Sequence, residues 1–65
     1  MQLYVNDEPV QSDSVILSNL LECYVKADQR VAVAVNQNIV PRSRWSEFVL
    51  NENDRIDVFE SIAGG

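Results

Sequence analysis

Val31-Ala32-Val33-Ala34-Val35 is a continuous apolar run in which three of the five residues are β-branched. A run this short and this rich in β-branched side chains suits a strand packed on both faces, so it predicts the most buried strand of a sheet. Alternation sends Val31, Val33 and Val35 to one face and Ala32 and Ala34 to the other, where small side chains leave a shallow floor. The segment before the run says what covers the valines. Leu17, Leu20, Leu21, Tyr24 and Val25 fall at i, i+3, i+4, i+7 and i+8, the spacing of one apolar helical stripe. Ser12 and Ser14 both suit the N-cap position of that helix. Glu22 and Lys26 lie four apart on its opposite face, in the favourable order for an exposed ion pair.

Working outward from the run, Asn36-Gln37-Asn38 predicts a turn and Ile39-Val40 a short strand ended by Pro41. Residues 42–48 carry no decisive period. After Phe48-Val49-Leu50, the polar cluster Asn51-Glu52-Asn53-Asp54 predicts another turn. Ile56 and Val58 then alternate with Asp57 and Phe59 in a last strand. At the other end, Met1, Leu3 and Val5 alternate with Gln2, Tyr4 and Asn6. Asn6-Asp7-Glu8-Pro9 reads as a turn, and Val10-Gln11 as a short hairpin partner with Pro9 tolerable at its start. The order is two strands, one helix, then two or three strands. One helix packed across one four- to five-stranded mixed sheet buries both apolar faces, an α+β architecture in a single domain spanning 1–65. By analogy the β-grasp arrangement fits this order, with the first and last strands adjacent and parallel in the middle.

Composition narrows the function classes. The chain has 65 residues, 46% hydrophobic, with 5 Lys+Arg against 10 Asp+Glu for a net charge of −5. That predicts one small soluble domain with no second domain to frame a cleft. An acidic surface repels phosphates and no stretch collects basic residues, so nucleic acid is not an expected partner; a basic protein surface is. A single Cys23 forms no internal disulfide, and no apolar run approaches the ~18 residues of a membrane span, which together predict a cytoplasmic protein with no membrane association. Histidine is absent, removing the usual general base near pH 7 and the commonest metal ligand. No catalytic residue and no metal site are expected.

The only two glycines, Gly64 and Gly65, are the last two residues. At ~7% average usage, Gly at both positions has a chance of about 0.5%. A frayed end of no consequence is one reading. The other is chemical: a tail over residues 61–65, extended and mobile and bare of side chains at Gly64 and Gly65, reaches at most ~17 Å and can thread a narrow channel. It would deliver the Gly65 carboxylate to another protein's active site. An ionised carboxylate is a poor electrophile, so it needs activation, most simply as an acyl-adenylate, before a sulfur or nitrogen nucleophile attacks it. With no phosphate-binding Gly-rich loop and no His in this chain, a partner enzyme must supply that step. The chain is then a carrier or substrate.

Other residues carry weaker signals. Cys23 lies off the centre of the helical stripe and reads as a partly buried filler. The 51–54 cluster lacks the central Gly and the final Glu of a calcium loop and reads as a polar turn. Arg42, Arg44 and Trp45 either contact a partner or place a Trp at one edge of the core with solvated arginines. Tyr4 and Phe59 alternate onto the face opposite the helix, flanking the Ala32 and Ala34 floor. That uncovered apolar face is either a docking surface or two scattered surface aromatics.

Taken together, Val33-Ala34-Val35-Asn36, Ile39-Val40-Pro41-Arg42 with Trp45, Asn53-Asp54-Arg55-Ile56 and the terminal Ile62-Ala63-Gly64-Gly65 resemble the ubiquitin-like sulfur carrier proteins, across essentially the whole chain. The Asn-x-x-Ile-Val-Pro-Arg segment with a nearby Trp favours the ThiS-type carriers of thiamin (thiazole) biosynthesis. The resemblance implies a β-grasp fold whose Gly65 is adenylated by a ThiF-type enzyme using ATP and converted to a thiocarboxylate with cysteine-derived sulfur. A ThiG-type thiazole synthase then receives that sulfur, and Ile62, Ala63 and Gly64 thread the partner's active site. No cofactor is bound by the carrier itself. One departure is visible, since Asn53 stands where this family often has Gly in the turn before the last strand; Asn tolerates positive φ. The small subunit of molybdopterin synthase also ends in Gly-Gly, but such proteins are usually longer and tend to place prolines before the tail, where this chain has Ser61-Ile62-Ala63. A protein-modifying ubiquitin-like tag would need the same activated carboxylate.

Overall fold

A computed structural model describes residues 1–25 and 30–60. Lys26, and with it the Glu22–Lys26 pair, lies outside the described residues, as does the segment 61–65.

The elements run β1 (Gln2–Val5), β2 (Glu8–Gln11), α1 (Leu17–Leu21), β3 (Val31–Val35), β4 (Asn38–Val40), a 3₁₀ turn (Arg42–Arg44) and β5 (Arg55–Glu60). The five strands form one sheet in the order β2-β1-β5-β3-β4. β1 pairs with β5 in parallel and every other neighbour is antiparallel, so the first and last strands do lie side by side in the middle. This is the β-grasp arrangement expected from the element order. Leu3, Leu17, Leu21, Val33, Leu50 and Ile56 are its most completely buried side chains. They sit between the helix and one face of the sheet, the face to which alternation assigned the valines of β3. Val33, Ala34 and Val35 are all buried, the largest buried share of any strand.

Both hairpins close through two-residue turns whose residues all have left-handed backbones: φ 51° and 70° at Asn6 and Asp7, 51° and 73° at Asn36 and Gln37. Such turns match the right-handed twist of the strands they join. They also shorten the turns expected from sequence, so β2 begins at Glu8 rather than Val10 and β4 at Asn38 rather than Ile39. Pro9 is tolerated inside β2 for two reasons. β2 is an edge strand, and Met1 and Ser12 exchange backbone hydrogen bonds at 3.0 and 2.9 Å, which by alternation puts the Tyr4–Pro9 pair at a rung needing no N–H. Asn53 has φ 68°, so the position where Gly is usual adopts the conformation Gly would allow.

The helix departs from expectation. It starts at Leu17 with Ile16 as N-cap and no side-chain cap, not at Ser12 or Ser14. The Ser12 hydroxyl is engaged locally, accepting from Ser14 N and donating to Ser14 O at 3.1 Å. Tertiary backbone replaces the cap. Ile16 bridges Val49, Leu17 N donates to Phe48 O at 2.9 Å, and Ser18 N donates to Trp45 O at 3.0 Å. The 45–50 segment therefore satisfies the first helical N–H groups, which sequence reading could not anticipate. The end of the stripe also differs: Tyr24 is 42% exposed, and Cys23 is exposed rather than a partly buried filler.

Candidate docking face and tail

Register defines the sheet face turned away from the helix. Along β5 it carries Arg55, Asp57 and Phe59; β3 adds Ala34 opposite Asp57 and Ala32 opposite Phe59, and β4 adds Ile39 opposite Ala34. β1 contributes Tyr4, opposite Arg55 on one side and Pro9 on the other. The face divides into two unlike halves.

At the far end of β5, Phe59 (52% exposed) stands opposite the exposed Ala32, and Ile39 (66% exposed) lies on β4 one row back, level with Ala34 and Asp57, so the apolar side chains run diagonally across the face. Ala34 is a floor beneath them, only 4% exposed, and offers little contact area itself. Phe59 is followed by Glu60, the last residue of β5, so Phe59 stands where the chain leaves the sheet.

The near half is polar and already engaged. The Arg55 guanidinium lies 5.3 Å from the centre of the Tyr4 ring and its Nη1 is 3.4 Å from Asp7 Oδ1. Gln2 Nε2 donates to the Tyr4 hydroxyl at 3.2 Å. Tyr4 and Phe59 thus share a face, as expected, but they do not flank one floor: Arg55 and Asp57 stand between them. The parallel register sets Tyr4 opposite Arg55, four residues before Phe59 on β5, so the two rings are not neighbours. Ile39 and Arg55 were missed by the sequence reading. Ile39 could have been found by carrying the alternation of β3 across the Asn36-Gln37 turn.

The remaining candidates make local contacts. Trp45 is 7% exposed and its indole Nε1 donates to Val40 O at 2.9 Å, closing an edge of the core. The Arg42 guanidinium stacks 5.0 Å from the Trp45 ring, and Arg44 pairs with Glu47 at 3.9 Å on the surface. Asp54, nearly buried, accepts from Asn36 Nδ2 at 3.0 Å on Oδ1 and from Asn51 N at 2.8 Å on Oδ2. Its carboxylate ties two turns together, which is what a polar turn rather than an ion loop requires. Ile62, Ala63, Gly64 and Gly65, the tail expected to carry the chemistry, lie outside the described residues. Among the described residues, no helix is long and apolar enough to cross a membrane.

Comparison with known proteins reaches the tail that the fold description does not. Across 66 aligned residues covering all of both chains, the protein is 36% identical to the sulfur carrier protein ThiS of Escherichia coli (strain K12). It is also 35% identical, over its whole length but only 20% of the other's, to a thiazole synthase of Magnetococcus marinus. In three dimensions it is similar to the crystal structure of the thiamine biosynthesis protein ThiS from Geobacter metallireducens, with a TM-score of 0.83, full coverage of both chains and 23% identity. The solution structure of a thiamine biosynthesis protein from the same organism gives 0.75, covering all of this chain and 88% of that one. These two likenesses establish the fold. The sequence pattern of the ThiS family matches residues 12–65, through the final glycine, and with the full-length 36% identity it places this chain in the ThiS family.

Proposed function

We propose that Gly65 is the working end of this carrier: its carboxylate is adenylated by a ThiF-type partner using ATP with release of pyrophosphate, and cysteine-derived sulfur then displaces AMP, either as hydrosulfide or as a persulfide whose S–S bond a thiol reductant cleaves, to leave a thiocarboxylate. As a ThiS-family sulfur carrier the protein serves thiamine biosynthesis. The similarity to a thiazole synthase favours the thiazole branch over the molybdopterin and tagging alternatives, and it supports a ThiG-type synthase as the recipient of the sulfur. On this reading the chain is a co-substrate of cytoplasmic enzymes and holds no cofactor; ATP belongs to the partner. The observation that carries the reading is positional. Phe59 and Ala32 sit at the end of β5 that leads into 61–65, with Ile39 one row behind them on β4, so one docking event grips the sheet and aims the tail.

Incubation with an adenylating partner, ATP and a sulfur source should replace one oxygen by sulfur on the C-terminal peptide, as read by mass spectrometry. Without ATP the mass should not change and no AMP should appear. An increment on Cys23, or an isopeptide link to lysine with no thiocarboxylate, would sink the reading. The docking half is tested separately by Phe59→Ala. Removing an aromatic anchor from an interface typically costs about 2 kcal/mol or more of binding, so KM for the carrier should rise while the melting temperature holds. Tyr4→Ala should weaken binding less, because that ring already faces Arg55. A Phe59→Ala protein that mainly loses stability would show that Phe59 is core.

A further inference from the structure

β5 outruns its parallel neighbour. β1 pairs with it only at Tyr4–Arg55 and Val5–Ile56, after which the chain turns at Asn6 into β2. The next position in register places Asn6 opposite Asp57. In a parallel ladder, such a residue donates its N–H to the carbonyl before its opposite number and accepts, on its own carbonyl, from the N–H after it. Asn6 meets the first requirement with its backbone, donating to Ile56 O at 2.9 Å. It meets the second with its side chain: Val58 N donates to Asn6 Oδ1 at 2.9 Å. The left-handed backbone of Asn6 has already taken the chain out of the ladder, and the amide oxygen stands in for the missing backbone carbonyl.

We propose that Asn6 is a positioning residue for tail delivery, adding one rung to the β1–β5 ladder so that β5, the strand that leads into the tail, is held from both edges as far as Val58. The proposal rests on the reading of Gly65 as the reacting end. Gly65 is seven residues beyond Val58, up to about 23 Å of chain, so the position and direction of the end of β5 set the region that the carboxylate can reach. A misplacement of ~1 Å at a reacting group can cost about 10²-fold in rate. Phe59 is held from the opposite edge through its pairing with Ala32, so losing the Asn6 rung should disturb delivery more than docking.

Asn6→Gly keeps the left-handed turn and removes the acceptor, whereas Asn6→Asp keeps an oxygen in its place. Two measurements are made below the melting midpoints of all three proteins. In amide exchange, Val58 should exchange about tenfold faster or more in Asn6→Gly, while the Asn36 amide, bonded to Arg55 O across the other edge, stays unchanged. In loading by the adenylating partner with ATP, Asn6→Gly should lose about tenfold or more in kcat with KM for the carrier within about twofold, and Asn6→Asp should restore kcat. Wild-type kcat in Asn6→Gly, an effect confined to KM, or a tenfold deficit in folded Asn6→Asp would each overturn the proposal. Failure of the wild-type protein to be loaded would overturn the Gly65 reading itself, and is told apart because it needs no substitution.

Discussion

The two hairpin turns of this sheet share one backbone and one device, yet serve different ends. At Asn36, as at Asn6, the chain leaves its ladder in a left-handed conformation, and the side-chain oxygen takes over a hydrogen bond that a backbone carbonyl would have made. Asn36 N donates to Arg55 O at 2.8 Å, and Arg55 N donates back to Asn36 Oδ1 at 3.1 Å, completing an antiparallel rung. Asn6 does the same on the opposite edge, in parallel geometry, at Val58. The difference lies in what stands behind each amide. Asn36 also donates Nδ2 to the nearly buried Asp54, so it is anchored at the start of β5 to the turn that precedes the strand. Asn6 works toward the other end, where β5 passes into the tail. The same substitution of side chain for backbone therefore serves stability at one turn and presentation at the other.

The strongest way to break this comparison is to remove the anchor. Asp54→Ala would leave Asn36 Nδ2 and Asn51 N without their charged acceptor, and hydrogen bonds to charged groups contribute about 1.5–3 kcal/mol each. A loss of about 3 kcal/mol or more in denaturant unfolding is expected; a loss below 1 kcal/mol would show that Asp54 does not hold Asn36.

Next in size is the paired test of the asparagines. Asn36→Gly should cost about 1–2 kcal/mol, because it strips two hydrogen bonds and leaves Asp54 partly unsatisfied, whereas Asn6→Gly should cost under about 1 kcal/mol for one exposed bond. Equal costs would erase the division of labour between the turns.

The smallest effect has the opposite sign. Gln37 holds φ 73° without the local side-chain bonding that eases Asn and Asp into this region, so Gln37→Gly should stabilise the fold by about 0.5–1 kcal/mol. At ~4–8 °C per kcal/mol for a domain of this size, the melting temperature should rise by a few degrees. Asp7→Gly relieves a similar backbone but also removes the 3.4 Å contact with Arg55, so its gain should be smaller. A lower melting temperature in Gln37→Gly would mean that its backbone carries no strain to release.

Much of the core was legible because alternation and the helical stripe are local patterns. Leu3, Val5, Val33, Val35, Ile56 and the three helical leucines are buried where those periods put them. The same patterns misled where a pairing partner far along the chain decided the outcome. Ser12 and Ser14 are good caps by residue type, yet the backbone of 45–50 caps the helix instead. Tyr4 and Phe59 alternate correctly onto one face, but their separation follows from the parallel register that sets Tyr4 opposite Arg55.

The sequence by itself determined the two-layer architecture, the inward and outward faces of β1, β3 and β5 and the glycine pair at 64–65, since each follows from the identity and spacing of residues along a few neighbouring positions. Only the tertiary structure decided that the outer face splits into an open apolar half and an engaged polar half, and that Asn6 and Asn36 clasp β5 from opposite edges. Those facts depend on register between strands up to 52 positions apart in sequence, and register is fixed by the packing of the whole sheet rather than by any one segment of it.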